Sequence, residues 1–370
     1  MTVRYEPTGS VERDLYVAVV AAGAYQGFAS LPLTQKDAAT VKSAFLRQQG
    51  KGYRSVHVKS WCDSTCGPGA SKGCIPCDAL PTAAELRQGV PEFFSAMKDG
   101  DYAVLYVSGH GLKWDQRYYF VPGDARPGDV STLLEWSELR DFLTRAPVIG
   151  RRLVLLDTCH AGAVGGQARE QDRLVQQSAE LDGVYILSAS AANQSAFELA
   201  DLGNGLFTYV LKHALGGDAD SRPEDARVSF EELGWYLSEN VRALSSARGI
   251  RQEPHVPILG ADLDYVVAAV PASRARVKLD VVERRPGELE RINPAERVQA
   301  WETDLTEGIE GLRLAAGVAD MTHKLTLWEV GSDRLDLSLE ARDGKSLLQK
   351  RGFAKAEVIR LLRQVLEGAR

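Results

Sequence analysis

A histidine and a cysteine, His110 and Cys159, each stand just beyond a short apolar run: AVLYV (103–107) before SGHG, and LVLL (153–156) before DTCHAG. Runs of this length, rich in branched side chains, are the pattern of strands buried on both faces in a parallel sheet. Open α/β sheets gather their chemistry at the carboxyl ends of such strands. One strand therefore brings an imidazole to the rim and another brings a thiol. A thiol beside an imidazole is the smallest set that makes a cysteine nucleophile, because the ring takes the thiol proton and leaves the reactive thiolate. Alternate residues of a strand share a face, so Cys159 projects with Asp157 and His110 with Ser108. His160 points elsewhere, which leaves His110 as the base. The backbone N–H groups of Gly111 and Cys159 lie where an oxyanion forming on a substrate carbonyl would be held, and a glycine there lets a peptide approach closely. His57, His213, His255 and His323 have no motif around them and read as structural or exposed.

The elements that must position these groups alternate in type along the first two thirds of the chain. LYVAVVAA (15–22), YRSVHVKSW (53–61) and GVYILSAS (183–190) read as further strands. KDAATVKSAFLRQQG (36–50) predicts a helix stopped by its glycine, and TAAELRQGVPEFFSAMKDG (82–100) another. WSELRDFLTRA, NGLFTYVLKHALGG and SFEELGWYLSENVRALSS read as helices, and QEPHVPILG closes the domain. This alternation predicts an α/β domain, a mostly parallel sheet flanked by helices, over residues 1–272. A cysteine-bearing insert interrupts it at 60–80. Residues 275–370 predict a small α+β accessory domain: VKLDVVE, KLTLWEV and RLDLSLEA read as strands and KAEVIRLLRQVLEG as an amphipathic helix. It has no nucleophile, metal cluster or phosphate loop, so docking to a partner or regulation is its expected role.

With His110 about 50 residues upstream of Cys159, these strings resemble the caspase-like peptidases. DTCHAG is nearer the metacaspase and bacterial form than the animal QACRG form. AYQGFASLPLTQKDA (24–38), SASAANQSAFE (188–198) and GLFTYVLKHALGGDAD (205–220) extend the resemblance, which spans residues 14–260 and finds no pattern after 272. It implies a cysteine endopeptidase in which Cys159 attacks the scissile carbonyl, His110 handles protons and Gly111 contributes to the oxyanion hole. In metacaspases the acids matching Asp37 and Asp157 line the pocket for the side chain before the scissile bond. Two carboxylates facing one cavity repel unless a cation sits between them, and guanidinium takes both through charge-assisted hydrogen bonds. The resemblance thus implies cleavage after Arg or Lys, Arg being favoured by its planar fork. The plainer readings are a helix N-cap for Asp37 and a carboxylate orienting His110 for Asp157. Two alternatives remain open: a catalytically silent scaffold binding basic peptides, and another thiol acyl-transfer enzyme such as a transpeptidase or ligase.

Between the Cys159 strand and GVYILSAS runs a glycine- and glutamine-rich stretch, with 163–182 reading as a long exposed loop. Long loops of this kind are functional or open to nicking. It contains Arg169 and Arg173, the residue type the acidic pocket accepts, so cleavage there, by the enzyme itself or by an upstream protease, is an expected activation step. The alternative is that both arginines only solubilise a connection. Cys62, Cys66, Cys74 and Cys77 are spaced C-x3-C-x7-C-x2-C among Gly, Pro, Ser and Asp. In a reducing compartment, four clustered thiols suggest a structural zinc site before disulfides or free thiols. Any calcium requirement is left open.

A chain of 370 residues exceeds one ordinary core, which again indicates two domains. Hydrophobic content of 44% and charged content of 25% are those of a globular protein. A net charge of −6 argues against nucleic acid or an anionic membrane as an obligatory partner, leaving protein substrates with exposed Arg or Lys sites. The polar start MTVRYEPTGSVERD does not resemble a signal peptide and no apolar run reaches membrane-span length, so a cytoplasmic location is expected.

Overall fold

The apolar runs become the strands of one parallel sheet. The computed structural model describes residues 12–63, 77–115, 117–145, 150–158, 184–189, 198–199, 202–221, 224–256, 265–270, 275–284, 291–292, 298, 301–302, 304–305, 309, 312–314, 323–330 and 334–368. In chain order the first part contains β1 (Leu15–Ala21), α1 (Thr34–Leu46), β2 (Val56–Cys62), α2 (Ala83–Phe94) and β3 (Tyr102–Gly109). There follow β4 (Gly111–Trp114), β5 (Arg117–Phe120), β6 (Leu134–Glu135), α3 (Trp136–Thr144), β7 (Arg152–Thr158) and β8 (Val184–Ser188). Next come β9 (Glu198–Leu199), β10 (Asn204–Gly205), α4 (Leu206–His213), β11 (Arg227–Ser229), α5 (Phe230–Ser246) and β12 (Val266–Ala269). The order β2-β1-β3-β7-β8 is parallel throughout.

Every residue of β1, β3 and β7 is buried, which is why these strands read as unbroken apolar runs rather than alternating ones. One face packs Tyr16, Ala18, Val20, Leu105, Val107 and Leu156 against Leu86, Val90 and Phe94 of α2 and Leu139 and Phe142 of α3. Each such side chain contributes about 1.5–3 kcal/mol when fully buried, so a one-residue slip that turned the set over is heavily disfavoured. The register therefore holds, and it levels the strand ends: Ala21 pairs with both Cys62 and Ser108, and Ser108 pairs with Asp157. α5 starts in a capping box, Ser229 accepting from the Glu232 amide while the Glu232 carboxylate accepts from Ser229 N–H. α1 begins at Thr34, two residues before the expected start, because Thr34 bonds back to the Leu31 carbonyl and turns the chain into the helix there.

The described chain divides into two compact units, Met1–Leu215 with Val228–Ala269, and Gly216–Arg227 with Val270–Arg370. In the second, β13 (Ala275–Arg284), β14 (Arg291–Ile292), β15 (Leu312–Leu314), β16 (His323–Val330), β17 (Arg334–Ala341), β18 (Ser346–Phe353) and α6 (Lys355–Gly368) follow in order. Their sheet is mixed: β13 and β16 run parallel, while β16, β17 and β18 form an antiparallel meander. Leu325, Leu327, Leu337 and Leu339 alternate inward, and Val358 and Leu362, one helical turn apart on α6, close the same core with Trp301. Among the described residues no helix is long and apolar enough to cross a membrane.

Candidate active site

The strand that delivers His110 ends in a glycine for a steric reason. Gly109 has φ of 145°, and a Cβ there would lie 2.7 Å from the Tyr25 hydroxyl and 2.8 Å from the Ala22 carbonyl oxygen. Only glycine passes that point. The next residue, His110, donates its backbone N–H to Tyr25 Oη at 3.1 Å, and Tyr25 donates in turn to the Ala22 carbonyl at 2.7 Å. The imidazole lies 4.9 Å from the Tyr25 ring and 6.2 Å from the Phe28 ring, centroid to centroid. Its Nε2 sits 2.7 Å from the carbonyl oxygen of Ala29. A carbonyl can only accept, so Nε2 carries the proton and the lone pair of the neutral ring is on Nδ1. Gly111 follows as the first, buried residue of β4. Thr158, at the end of β7, pairs with Gly109 and shares a 2.5 Å hydrogen bond with the Tyr118 hydroxyl. The positions just before His110 and just before Cys159 thus occupy one row of the sheet. Cys159 itself, His160, and the loop 163–182 with Arg169 and Arg173 lie outside the described residues.

Two carboxylates converge beside this row. Asp37 is 2% exposed and Asp157 7% exposed. Asp37 is not the cap of α1, as the simplest reading of QKDA has it. It sits one turn in, where its Oδ1 accepts from the Asn204 side-chain amide at 2.8 Å and from the Gly205 N–H at 2.9 Å. Asp157 Oδ2 accepts from the Thr208 hydroxyl at 2.7 Å, and the Tyr106 hydroxyl lies 3.4 Å from it and 2.6 Å from Thr208 Oγ1. The Oδ2 atoms of both aspartates lie 3.1 Å from the point where a Cβ on Gly205 would stand. Glycine at 205 therefore avoids a side chain pressed against both acids. Burial pushes the Tyr106 phenol well above its ordinary pKa, and the nearby charges of Asp157 and Asp37 push it further, so it remains a neutral donor. The nitrogen contact described for His110 is to a backbone carbonyl, whereas Asp157 is engaged with Thr208 and Tyr106. Sequence reasoning missed Tyr106, Asn204, Gly205 and Thr208. The one available signal was the NG pair heading the LFTYVLKH helix.

The insert departs from expectation. Cys62 and Cys77 form a disulfide, with Cα atoms 5.4 Å apart, inside the range a bridge requires. A sulfur committed to a disulfide is no thiolate, so these two residues do not supply half of the expected tetrahedral zinc site. Cys66 and Cys74 lie outside the described residues, and among those described no cluster of three or more His, Cys, Asp or Glu could hold a metal. Of the remaining histidines, His57 stacks on Tyr16 at 4.5 Å and contacts Asp14, and His255 forms a two-way backbone bridge to Ser188 at the end of β8.

His110 thus stands beyond β3, the neighbouring β7 runs in sequence into Cys159, and Asp37 and Asp157 are buried at that end of the sheet. Compared with known families, the chain matches the Caspase domain over residues 16–256. It belongs to this family and carries its cysteine peptidase domain. Among solved structures, it is similar to a protein from Geobacter sulfurreducens at 16% identity, covering 67% of this chain and 93% of that one with a TM-score of 0.39. No curated protein matches.

Proposed function

We propose that this protein is a cysteine endopeptidase that cuts protein substrates after Arg or Lys. The observation that carries the specificity is the pair of buried carboxylates, Asp37 and Asp157, whose Oδ2 atoms flank the space above Gly205. Two like charges at one buried point favour a bound cation, and a planar guanidinium can meet both. In this reading Nδ1 of His110, the basic nitrogen left by the Ala29 contact, takes the proton of the Cys159 thiol. The thiolate forms a bond to the scissile carbonyl carbon, and the Gly111 and Cys159 amides receive the oxyanion. The C–N bond then breaks as the imidazolium returns its proton to the leaving amine. Water hydrolyses the remaining thioester, restoring the thiol and releasing the new carboxyl terminus.

Regulation is part of the same proposal. The stretch 163–182, which reads from its sequence as a loop, begins at the fourth residue after Cys159 and contains Arg169 and Arg173, so cutting there by the enzyme itself or by an upstream protease activates a weakly active precursor. The experiment that tests the function is a peptide-library cleavage profile of the purified full-length chain. Cleavage confined to bonds after Arg and Lys, and absent from Cys159→Ala, is the expected result. Efficient cleavage after Asp overturns the specificity. Tight binding of basic peptides with no hydrolysis would instead make the chain a silent scaffold, and a newly formed peptide bond among the products would make it a ligase or transpeptidase.

A further inference from the structure

The contacts described for the His110 ring come from one loop, residues 22–31, between β1 and α1. Tyr25 and Phe28 flank the imidazole, and the Ala29 carbonyl faces Nε2. The loop is closed on itself by Leu31 N–H donating to the Gly23 carbonyl at 3.0 Å. Tyr25 ties it to Val121 and to the His110 amide, and its start is anchored from outside by Asp63, the residue after β2. One oxygen of that carboxylate, Oδ2, accepts from the Gly23 N–H at 2.5 Å and from the Ala24 N–H at 2.9 Å. The Gln35 side-chain amide donates to the Asp63 carbonyl, tying the start of α1 to the same point. Asp63 is itself held in place on its N-terminal side. Cys62 pairs with Ala21 in the sheet and is bonded to Cys77, and the segment after Cys77 returns along β2 through Cys62 N–H to Ala79 and through Asp78 to Ser60.

We propose that Asp63 is a positioning residue for His110. Its carboxylate fixes the 22–31 loop, and the loop fixes the tautomer and direction of the ring, with Nε2 on Ala29 and Nδ1 left for the thiol. The proposal rests on the reading of His110 as the base of a peptidase. Hydrogen bonds from two amides to one ionised oxygen are of the strong, charge-assisted kind. Without that oxygen both N–H groups turn to water and the loop loses its fixed start.

The test uses the full-length chain with a chromogenic Arg peptide, and Asp63→Leu against Asp63→Asn. Leucine matches the size but accepts nothing, whereas asparagine keeps one oxygen that can accept both amides. A misplacement of about 1 Å at a reacting group costs about 100-fold, so Asp63→Leu should lose that order in kcat. KM should hold, because Asp37 and Asp157 stand on other elements, and Asp63→Asn should recover most of the rate. The imidazole nitrogen signals of His110 are read by NMR in a Cys159→Ala background. They should show the Nε2–H tautomer both with Asp63 intact and in Asp63→Asn, and a mixture of tautomers in Asp63→Leu. Should Asp63→Leu not fold, Asp63→Ala is read the same way. Wild-type kcat and an unchanged ring in Asp63→Leu overturn the proposal. So does a loss of rate with the ring signals unchanged, or an Asp63→Asn protein as slow as Asp63→Leu. If the wild type cleaves no peptide at all, the peptidase reading fails, and the ring signals still decide the role of Asp63.

Discussion

Nδ1 of His110 is the atom on which the proposed chemistry turns, because the Ala29 carbonyl has already claimed the proton of Nε2. His110→Ala should therefore reduce hydrolysis by about 10²–10⁴-fold, the usual worth of acid–base help, while Cys159→Ala abolishes it. Steady-state kinetics with an Arg peptide checks both. The acids make a second residue-scale prediction. Asp37→Asn keeps the oxygen that accepts from Asn204 and Gly205 but removes the charge. It should weaken kcat/KM for an Arg substrate by about 2–5 kcal/mol, the range for stranding a buried charge, and leave an uncharged substrate nearly unaffected. Gly205→Ala puts a methyl 3.1 Å from both Oδ2 atoms, in the space assigned to the guanidinium. It should raise KM for Arg substrates with little change in melting temperature. Equal losses for charged and uncharged substrates would count against the pocket.

At the scale of elements, β2 and its return segment form an edge of the sheet pinned by a disulfide and backbone hydrogen bonds. The Cys62–Cys77 bridge closes a separation of 15 residues, which in the chain-entropy account is worth about 3 kcal/mol. Urea unfolding of Cys62→Ser/Cys77→Ser should show a loss of that order. Asp78 pins the same edge. Burial raises its pKa, but hydrogen bonds from the Ser60 hydroxyl and N–H and the charge of Lys42 outweigh this and hold the carboxyl below its ordinary value. A carboxyl whose folded pKa is depressed stabilises the fold above its unfolded pKa of about 3.9, and that contribution fades as pH falls through the folded value. Asp78→Asn should accordingly be less stable than wild type at pH 7, with the difference shrinking in acid. Paired unfolding curves at the two pH values measure it.

The whole molecule joins a peptidase unit to a second unit with its own sheet and core. The activation proposal belongs at this scale, since it converts one chain into two. Mass spectrometry of working enzyme should find fragments ending at Arg169 or Arg173, and Arg169→Ala/Arg173→Ala should stay intact and slow. A double variant as active as wild type, with wild type remaining a single chain while it works, would discard the idea. The second core gives an independent handle. Leu327→Ala, at a fully buried position of β16, should cost about 2–5 kcal/mol of stability by the measure of other buried Leu→Ala changes, seen by denaturation.

Local pattern alone determined the α/β class, the β3 and β7 strands, most helices and the two strings that end in His110 and Cys159. Burial on both faces and the periods of strand and helix are written in consecutive residues, so no distant contact is needed to read them. The short hairpin strands β4 and β5 and the exposed edge β18 were not legible, because four residues are too few to show a period and a polar edge stabilised by its partner carries little local signal. The contact of His110 Nε2 with the Ala29 carbonyl, the meeting of Asp37 with Asp157 over Gly205, the Cys62–Cys77 pairing and the bonds from Asp63 to the 22–31 loop were decided only in three dimensions. Each joins residues from separate elements, such as Ala29 with His110 or Asp37 with Asn204, whose distance depends on sheet order and register. Cysteine spacing shows that four thiols are neighbours in sequence, but which sulfurs touch depends on how the chain returns along β2.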